Sequence, residues 1–470
     1  MSDVAALSDR AEPAGERRVA RVLLDSALPQ LDHLFDYAVP EALAGELRVG
    51  QRVRVPFRSQ SRQSFGYVIE FVERSDFGGE LQEISDAVGP VPQLTPDVWR
   101  LARAVADRAG GSACDILRLA IPQRMVRVEK QHLAAAATGA EKQHLAAAAT
   151  GAEKQHLAVS AAGTSAAGTS VAGTAEQRSA GAAPEPSSDG PAFEATDDER
   201  ELAALLAAGD RLCATSSHGP ERLSTGEWVG GWAVRLARSA LAVFSAGRSV
   251  IMAVPDYRDL DQLRDTFASL GHPDIVRVDA RQSNGERYAN FLRALDPVPR
   301  IVLGNRSAVY APAYELGAIM LWDDGDPLFA EPLTPYVHAR DAALVRAEQA
   351  GAGLYFAAHA RSAEVQRLVD IGYVKAERLP PRRTRVVHAD ASVAPDAFAG
   401  RVPEFAARAI REGLKQGPVL VQVATPGYAP VAVCGDCGER ARCTASGGSC
   451  GGPIGFRSAG RAACRWCGEF

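Results

Sequence analysis

Apolar residues recur along this chain in two periods, and the places where the period changes divide it. Near the start, VARVLLDSAL, RVRVPF and FGYVIEFVE carry β-branched and aromatic residues between turn signals. That alternation predicts short strands. Gly50-Gln51 stands just before the second strand, and the polar stretch 58–64 links it to the third. PDVWRLARAVADRAG then takes helical spacing, with Pro96 in the first turn behind Thr95 as candidate N-cap. Residues 19–125 therefore read as a β-rich unit followed by helix.

Periodicity is lost over residues 129–196. EKQHLAAAATGA occurs twice from Glu129 and EKQHLAV begins a third copy, a period of 12; SAAGT, SAAGT and SVAGT follow with a period of 5. Twelve residues are too few for a solenoid unit. A Gly, Ser, Thr and Pro tract cannot bury enough apolar surface to fold. The expectation is a disordered, expanded tandem-repeat linker.

From 197 to 395 two periods alternate. RSVIMAVP, RIVLGN, LGAIMLWDD and GAGLYFAAH read as buried strands, and DYRDLDQLRDTFASLG and ARDAALVRAEQAGA as helices. Such alternation implies a parallel sheet covered by helices. Residues 396–470 give a helix (PEFAARAIREGLKQG), a strand (PVLVQVA) and a cysteine-rich end.

That end changes the picture most. Six of eight cysteines lie in the last 37 residues, as Cys434-Gly-Asp-Cys437, Cys443, Cys450 and Cys464-Arg-Trp-Cys467. Two Cys-x-x-Cys pairs with two cysteines between them have metal-ligand spacing, and Zn²⁺ takes four thiolates in a tetrahedron. Cys114 and Cys213 stand apart and read as plain buried thiols. The polar N-terminus MSDVAALSDRAEPAGERR shows no secretory pattern, so the expectation is a reduced, cytoplasmic protein. No run of 18 apolar residues predicts a membrane span. The net charge of −5 argues against a protein that coats nucleic acid, but not against a basic patch on one domain.

Three stretches then carry a resemblance. Phe35-Asp36-Tyr37-Ala-Val-Pro40 precedes Val49-Gly50-Gln-Arg52-Val-Arg54-Val-Pro56-Phe57 and Gly66-Tyr67-Val68. Gly304-Asn305-Arg306-Ser307-Ala308-Val309-Tyr310-Ala311-Pro312 and His338-Ala339-Arg340-Asp341 follow in the α/β region. Gly427-Tyr428-Ala429-Pro430 leads into Cys434. Together they resemble the PriA family of bacterial replication-restart proteins, also called primosomal protein N′. The resemblance implies an N-terminal domain for the 3′ end of a nascent DNA strand, an α/β helicase lobe and a zinc module. Asp36 would accept a hydrogen bond from the terminal hydroxyl, and Phe35 or Tyr37 would stack a base. Arg52, Arg54, Arg58 and Arg62 would neutralise phosphates. Read as packing alone, Phe35 and Tyr37 are core and the arginines a solvated strand face. The family has Gly where Arg58 stands, which implies an altered pocket.

The resemblance also implies an ATP-driven motor, and its motifs do not appear. A phosphate loop needs G-x-x-x-x-G-K-[ST]. No such string occurs, and the segment from 216 to 246 has Gly230-Gly231 without a following Lys. The family's D-E-x-H stands as Asp323-Asp324-Gly325-Asp326, which reads as a solvated turn, and its S-A-T-like motif as Ala357-Ala358-His359-Ala360. For the metal, the family pairs the second Cys pair with the third. That implies Cys443, Cys450, Cys464 and Cys467 as one site, while Cys434, Cys437, Cys464 and Cys467 have the cleaner ribbon spacing. Either set gives one zinc. The chain stops three residues after Cys467, where such a module is expected to continue.

The expected architecture is α/β multidomain. It comprises a DNA-end-binding domain (19–125), a low-complexity linker (129–196), a degenerate P-loop helicase-like lobe (197–395), and a partial second lobe with the zinc module (396–470). The leading expectation is a DNA-binding replication-restart protein without helicase activity, acting on forked DNA and 3′ ends with other primosome proteins and no membrane. The alternatives are an ATP-dependent 3′–5′ DNA helicase and a zinc-ribbon protein-interaction module.

Overall fold

The computed structural model describes residues 18–57, 59–138, 193–216, 219–272, 274–377, 387, 402–417, 419–422, 431–445, 450–458 and 461–469. The chain forms two compact units, Met1–Arg382 and Arg383–Phe470.

The first unit opens with β1 (Val19–Leu24), β2 (Leu34–Ala38), β3 (Arg52–Phe57), β4 (Ser59–Val72) and β5 (Asp86–Ala87). They form one sheet in the order β2-β1-β4-β3-β5, with every neighbour antiparallel. Residues 59–64 belong to β4, which pairs with β3 from Arg52↔Tyr67 to Phe57↔Ser59. The expected polar link is thus strand, because the backbone ladder with β3 satisfies its polar groups whatever the side chains. Gly50 turns the chain into β3 at φ +81, and a Cβ there would lie 1.9 Å from the Leu94 carbonyl oxygen, so only glycine fits. One face of the sheet buries Val22, Val53, Val55 and Val68. From the other face, Leu23 and Tyr67 join α1 (Pro96–Ala109) and α2 (Ala113–Ala120) in a core that continues into the α/β layer.

Helix α3 (residues 126–138) takes in the first repeat copy. The linker therefore starts later than residue 129. Glu129 is only 2% exposed, 2.6 Å from Arg124 and accepting a 2.5 Å bond from the Tyr288 hydroxyl. His132 lies 3.2 Å from Asp296. These partners, not the repeat's composition, order the segment. The rest of the repeat lies outside the described residues.

The α/β layer runs α4 (Asp197–Ala207), β6 (Arg211–Thr215), a hairpin of β7 (Pro220–Arg222) and β8 (Trp228–Gly230), and α5 (Gly231–Ser245). Then come β9 (Ser249–Ala253), α6 (Tyr257–Ser269), β10 (Val276–Val278), α7 (Asn284–Leu295) and β11 (Ile301–Gly304). It ends with β12 (Leu316–Trp322), α8 (Ala339–Ala350), β13 (Gly353–Ala358), α9 (Ala363–Asp370) and β14 (Lys375–Ala376). Seven strands make an all-parallel sheet in the order β10-β11-β9-β12-β13-β6-β14. β9, β12 and β13 are buried along their whole length, which is why they read as continuous apolar runs. No described helix is long and apolar enough to cross a membrane.

The second unit holds α10 (Glu404–Gly413) and a hairpin of β15 (Ile454–Ser458) and β16 (Arg461–Cys464). The strand expected at PVLVQVA is not seen in its described residues 419–422, where Leu420 is 92% exposed. An apolar run stays irregular where no neighbouring strand pairs with its backbone.

Candidate nucleic-acid pocket and metal centre

β2 is an edge strand, and its alternation splits the Phe-Asp-Tyr motif between two faces. Tyr37 points inward and is 5% exposed. Its hydroxyl donates to the Pro56 carbonyl at 3.0 Å, and burial pushes its pKa up to about 12. Tyr37 is therefore core, as the packing reading had it. Phe35 is half-buried, edge-on to Phe57 with centroids 5.8 Å apart and 4.1 Å from the His33 ring. Asp36 faces the other way, paired in register with Arg21. Its carboxylate accepts from the Ser75 hydroxyl at 2.5 Å and lies 3.5 Å from Arg21 Nε. Arg21, Phe35, Asp36, Phe57, Phe77 and Glu80 help line a cavity of about 820 Å³. An aromatic wall beside a carboxylate acceptor suits a base with a sugar hydroxyl. Sequence reasoning missed Ser75 and Phe77, in the Ser75-Asp76-Phe77 turn after β4; the exposed Phe77 was the available signal.

The arginines are elsewhere. Arg52 and Arg54 stand on β3, which reaches the cavity through Pro56 and Phe57. Neither lines the cavity. Arg52 pairs with Asp25 at 3.1 Å and lies over the Phe65 ring at 4.7 Å; Arg54 lies over the same ring at 5.6 Å. Among the described residues, the cation within reach of Asp36 is Arg21. Arg58 and the side chain of Arg62 lie outside the described residues.

In the second unit, Cys443, Cys450, Cys464 and Cys467 bring their sulfurs within 4.8 Å of one another. Two contacts are 3.7 Å (Cys443–Cys467) and 3.6 Å (Cys450–Cys464). Four thiolates at about 2.3 Å from a tetrahedral cation sit roughly 3.8 Å apart. The donor set therefore fits one metal ion. The β15–β16 hairpin positions it, since Cys464 ends β16 and the Cys443 N–H donates to Gly452 next to β15. Amides of Cys467 and Trp466 point at the Cys464 sulfur and hold its pKa down to about 6. Cys434 and Cys437 make the same turn as Cys464 and Cys467. In each, the glycine after the second cysteine has positive φ (Gly438 at +73°, Gly468 at +78°) and donates to the first cysteine's carbonyl. Both are exposed and lie outside the four-sulfur group. The ribbon-spaced set is thus not the one assembled. Cys114 and Cys213 are buried, as expected.

Residues 21–122 match the PriA 3′DNA-binding domain (3′BD) family. The probable replication restart protein PriA of Mycobacterium bovis is 36% identical over 457 residues, covering 94% of this chain and 61% of that protein. The same protein of Mycobacterium leprae is 34% identical over 461 residues, covering 94% and 62%. Over nearly its whole length, the chain is thus similar to mycobacterial PriA proteins. It spans about three fifths of the length of the curated relatives it matches. A solved structure of the DUF1998 helicase MrfA is 12% identical with a TM-score of 0.28, covering 47% of this chain and 39% of that one.

The PriA relationship directs attention to the crevice at the carboxyl ends of the parallel strands, where α/β sheets bind ligands. Here α5 begins where a phosphate loop would present its amides. The Gly231 N–H donates to the Gly219 carbonyl at 2.7 Å, and the Gly230 N–H to Gln262 Oε1 at 2.7 Å. Glu221 Oε1 lies 2.5 Å from where a Gly231 Cβ would sit, so a carboxylate already occupies the helix N-terminus. Trp232, in the first turn, stacks on Trp322 at 4.1 Å with rings 8° apart, and both are buried. His359 packs edge-on to Trp322 at 4.9 Å. Asp324 is not part of a solvated turn. It is 2% exposed, paired with Arg340 at 3.2 Å and bonded by the Ser362 hydroxyl at 2.7 Å. The His-Ala-Arg-Asp motif thus supplies the partner of a buried carboxylate.

Proposed function

We propose that this protein binds DNA at replication forks through the 3′ end of a nascent strand, and acts in replication restart without a motor of its own. The observation that carries this is the Asp36 cavity, an acceptor among aromatics inside the stretch that matches the 3′DNA-binding family. The terminal base would lie against Phe35 and Phe57. The 3′-hydroxyl would donate to Asp36, whose Ser75 and Arg21 contacts hold it in place. Arg52 and Arg54 would meet phosphates away from the terminal nucleotide. The filled crevice at α5 supports a protein that holds forks and recruits primosome partners rather than one that hydrolyses ATP.

The test is anisotropy of labelled forks ending in 3′-OH or 3′-phosphate, titrated with the full chain with and without ATP. Tighter binding of 3′-OH ends, no ATP effect, and a salt slope near −0.7 to −0.9 per phosphate contact are expected. Equal affinity for the two ends would remove the Asp36 reading; ATP-dependent strand separation would restore the helicase.

For the four-sulfur group, zinc fits best, because a closed four-thiolate site is its structural preference. Elemental analysis should return one zinc per chain. Cys464→Ser should abolish it and Cys434→Ser should not. Two firmly held ions would show that Cys434 and Cys437 complete a second site.

A further inference from the structure

Thr95 sits in the N-cap position of α1 yet caps nothing. Its hydroxyl is buried and has no hydrogen-bond partner. The amides of Asp97 and Val98 are among those a helix leaves unpaired in its first turn, and α1 points their partial positive charge outward. α8 brings Arg346 to the same place. It is 4% exposed, and its Nη1 donates to the Val309 carbonyl. Its Nη2 is buried without a hydrogen-bond partner; Asp97 Oδ2 lies 3.5 Å away, within ion-pair range but not bonded. A buried donor without a hydrogen-bond acceptor is costly, and the two residues that carry these donors both line one cavity of about 430 Å³. Burial lowers the Arg346 pKa to about 10 even beside Asp97, as expected of a cation short of counter-charge.

We propose that this cavity binds a phosphomonoester, with Arg346 Nη2, the Thr95 hydroxyl and the first amides of α1 as its donors. A guanidinium, a hydroxyl and a pair of N–H groups converging from different elements suit an acceptor with several equivalent oxygens. Pro312, Tyr314 and Leu295 supply an apolar wall, and the volume admits a group of nucleotide size. Asp97 and Glu315 also line the cavity and oppose an anion. The Asp97 side chain is 43% exposed and free to turn to solvent when the ligand takes its place beside Arg346. A free nucleotide and a phosphorylated DNA end share this chemistry. None of the residues lining the cavity lines the Asp36 pocket, so the proposal does not rest on the 3′-end reading.

Calorimetry on the full chain tests it, with inorganic phosphate, dAMP, and 5′-phosphorylated and 5′-hydroxyl oligonucleotides as probes. Phosphate or a phosphorylated probe should bind. Thr95→Val, which removes a hydroxyl that bonds nothing else, should weaken binding about threefold or more. Arg346→Lys should weaken it at least about tenfold, and Asp97→Asn should strengthen it. If Arg346→Lys does not fold, Thr95→Val and Asp97→Asn decide. Binding of the phosphorylated oligonucleotide but not dAMP assigns a DNA end, and the reverse a free nucleotide; both support the site. Binding by no phosphate probe, or affinity unmoved by both Thr95→Val and Asp97→Asn, overturns it.

Discussion

Two crevices of the first unit invite comparison, one open and one filled. The Asp36 cavity keeps an aromatic wall, a positioned acceptor and about 820 Å³ of room. The crevice at α5 has its leading amides bonded internally, a carboxylate at the helix end, and a tryptophan pair in its first turn. Both sit where the fold commonly places ligands: one beside an edge strand, the other at the ends of parallel strands. The difference lies in what occupies each crevice, while the strands around both stay ordered. The parallel sheet survives because its strands are buried on both faces.

The comparison breaks first, if it breaks, at the tryptophan pair. Trp232→Ala should destabilise the protein by about 3–5 kcal/mol in urea unfolding, the range for deleting a buried large aromatic. It should gain no ATP hydrolysis, since the Gly230 and Gly231 amides remain bonded. A variant that binds ATP would show the crevice blocked rather than rebuilt. Asp324→Ala comes next. It strands the buried Arg340, and about 3 kcal/mol should be lost, the low end for a broken buried pair because Asp341 at 3.5 Å and Glu364 at 3.7 Å remain. A loss under about 0.5 kcal/mol, the usual surface value, would return Asp324 to a solvated turn.

On the open side, Asp36→Ala should cost about 1–3 kcal/mol of affinity for a 3′-OH end and leave a 3′-phosphate end nearly unchanged. Arg52→Ala should weaken both ends alike and by less, since Arg52 is shared with Asp25 and does not line the cavity. Loss of end preference in Arg52→Ala would mean that the terminal nucleotide reaches Arg52 itself. The smallest effect is expected at Asp259, beside the filled crevice. Burial, with Asp256 and Asp323 nearby, pushes its pKa up to about 6 from 3.8. A carboxyl raised in the folded state favours folding when protonated, so stability falls as pH rises from about 4 through 6. Asp259→Asn should melt higher than the wild type at pH 7 and level with it near pH 4. A constant difference across that window would refute the titration.

Much of the scaffold was legible. Continuous apolar runs found β9, β11, β12 and β13, because strands buried on both faces need no polar alternation. Thr95-Pro96 marked a true helix start. The Phe-Asp-Tyr motif led to the cavity, which all three residues line, Tyr37 from the core with its hydroxyl bonded to Pro56. Ser75 on Asp36, Arg340 on Asp324 and Trp232 on Trp322 were not legible, since each pair meets only after distant segments pack. The start of the repeat misled for the same reason. Nothing in EKQHLAAAATGA distinguishes the first copy, and only Arg124 and Tyr288 make Glu129 a buried anchor.

By itself, then, the amino-acid order determined the strand and helix runs, the missing phosphate loop, and a cysteine spacing that allows one four-thiolate site. Local sterics, periodicity and ligand count act over a few residues, so they can be read from the string. Which four cysteines converge was decided by the β15–β16 hairpin. Which cation faces Asp36, and what fills the crevice at α5, was decided by strand order and helix packing. Those outcomes depend on pair distances between residues far apart in the chain, and such distances exist only once the fold has formed.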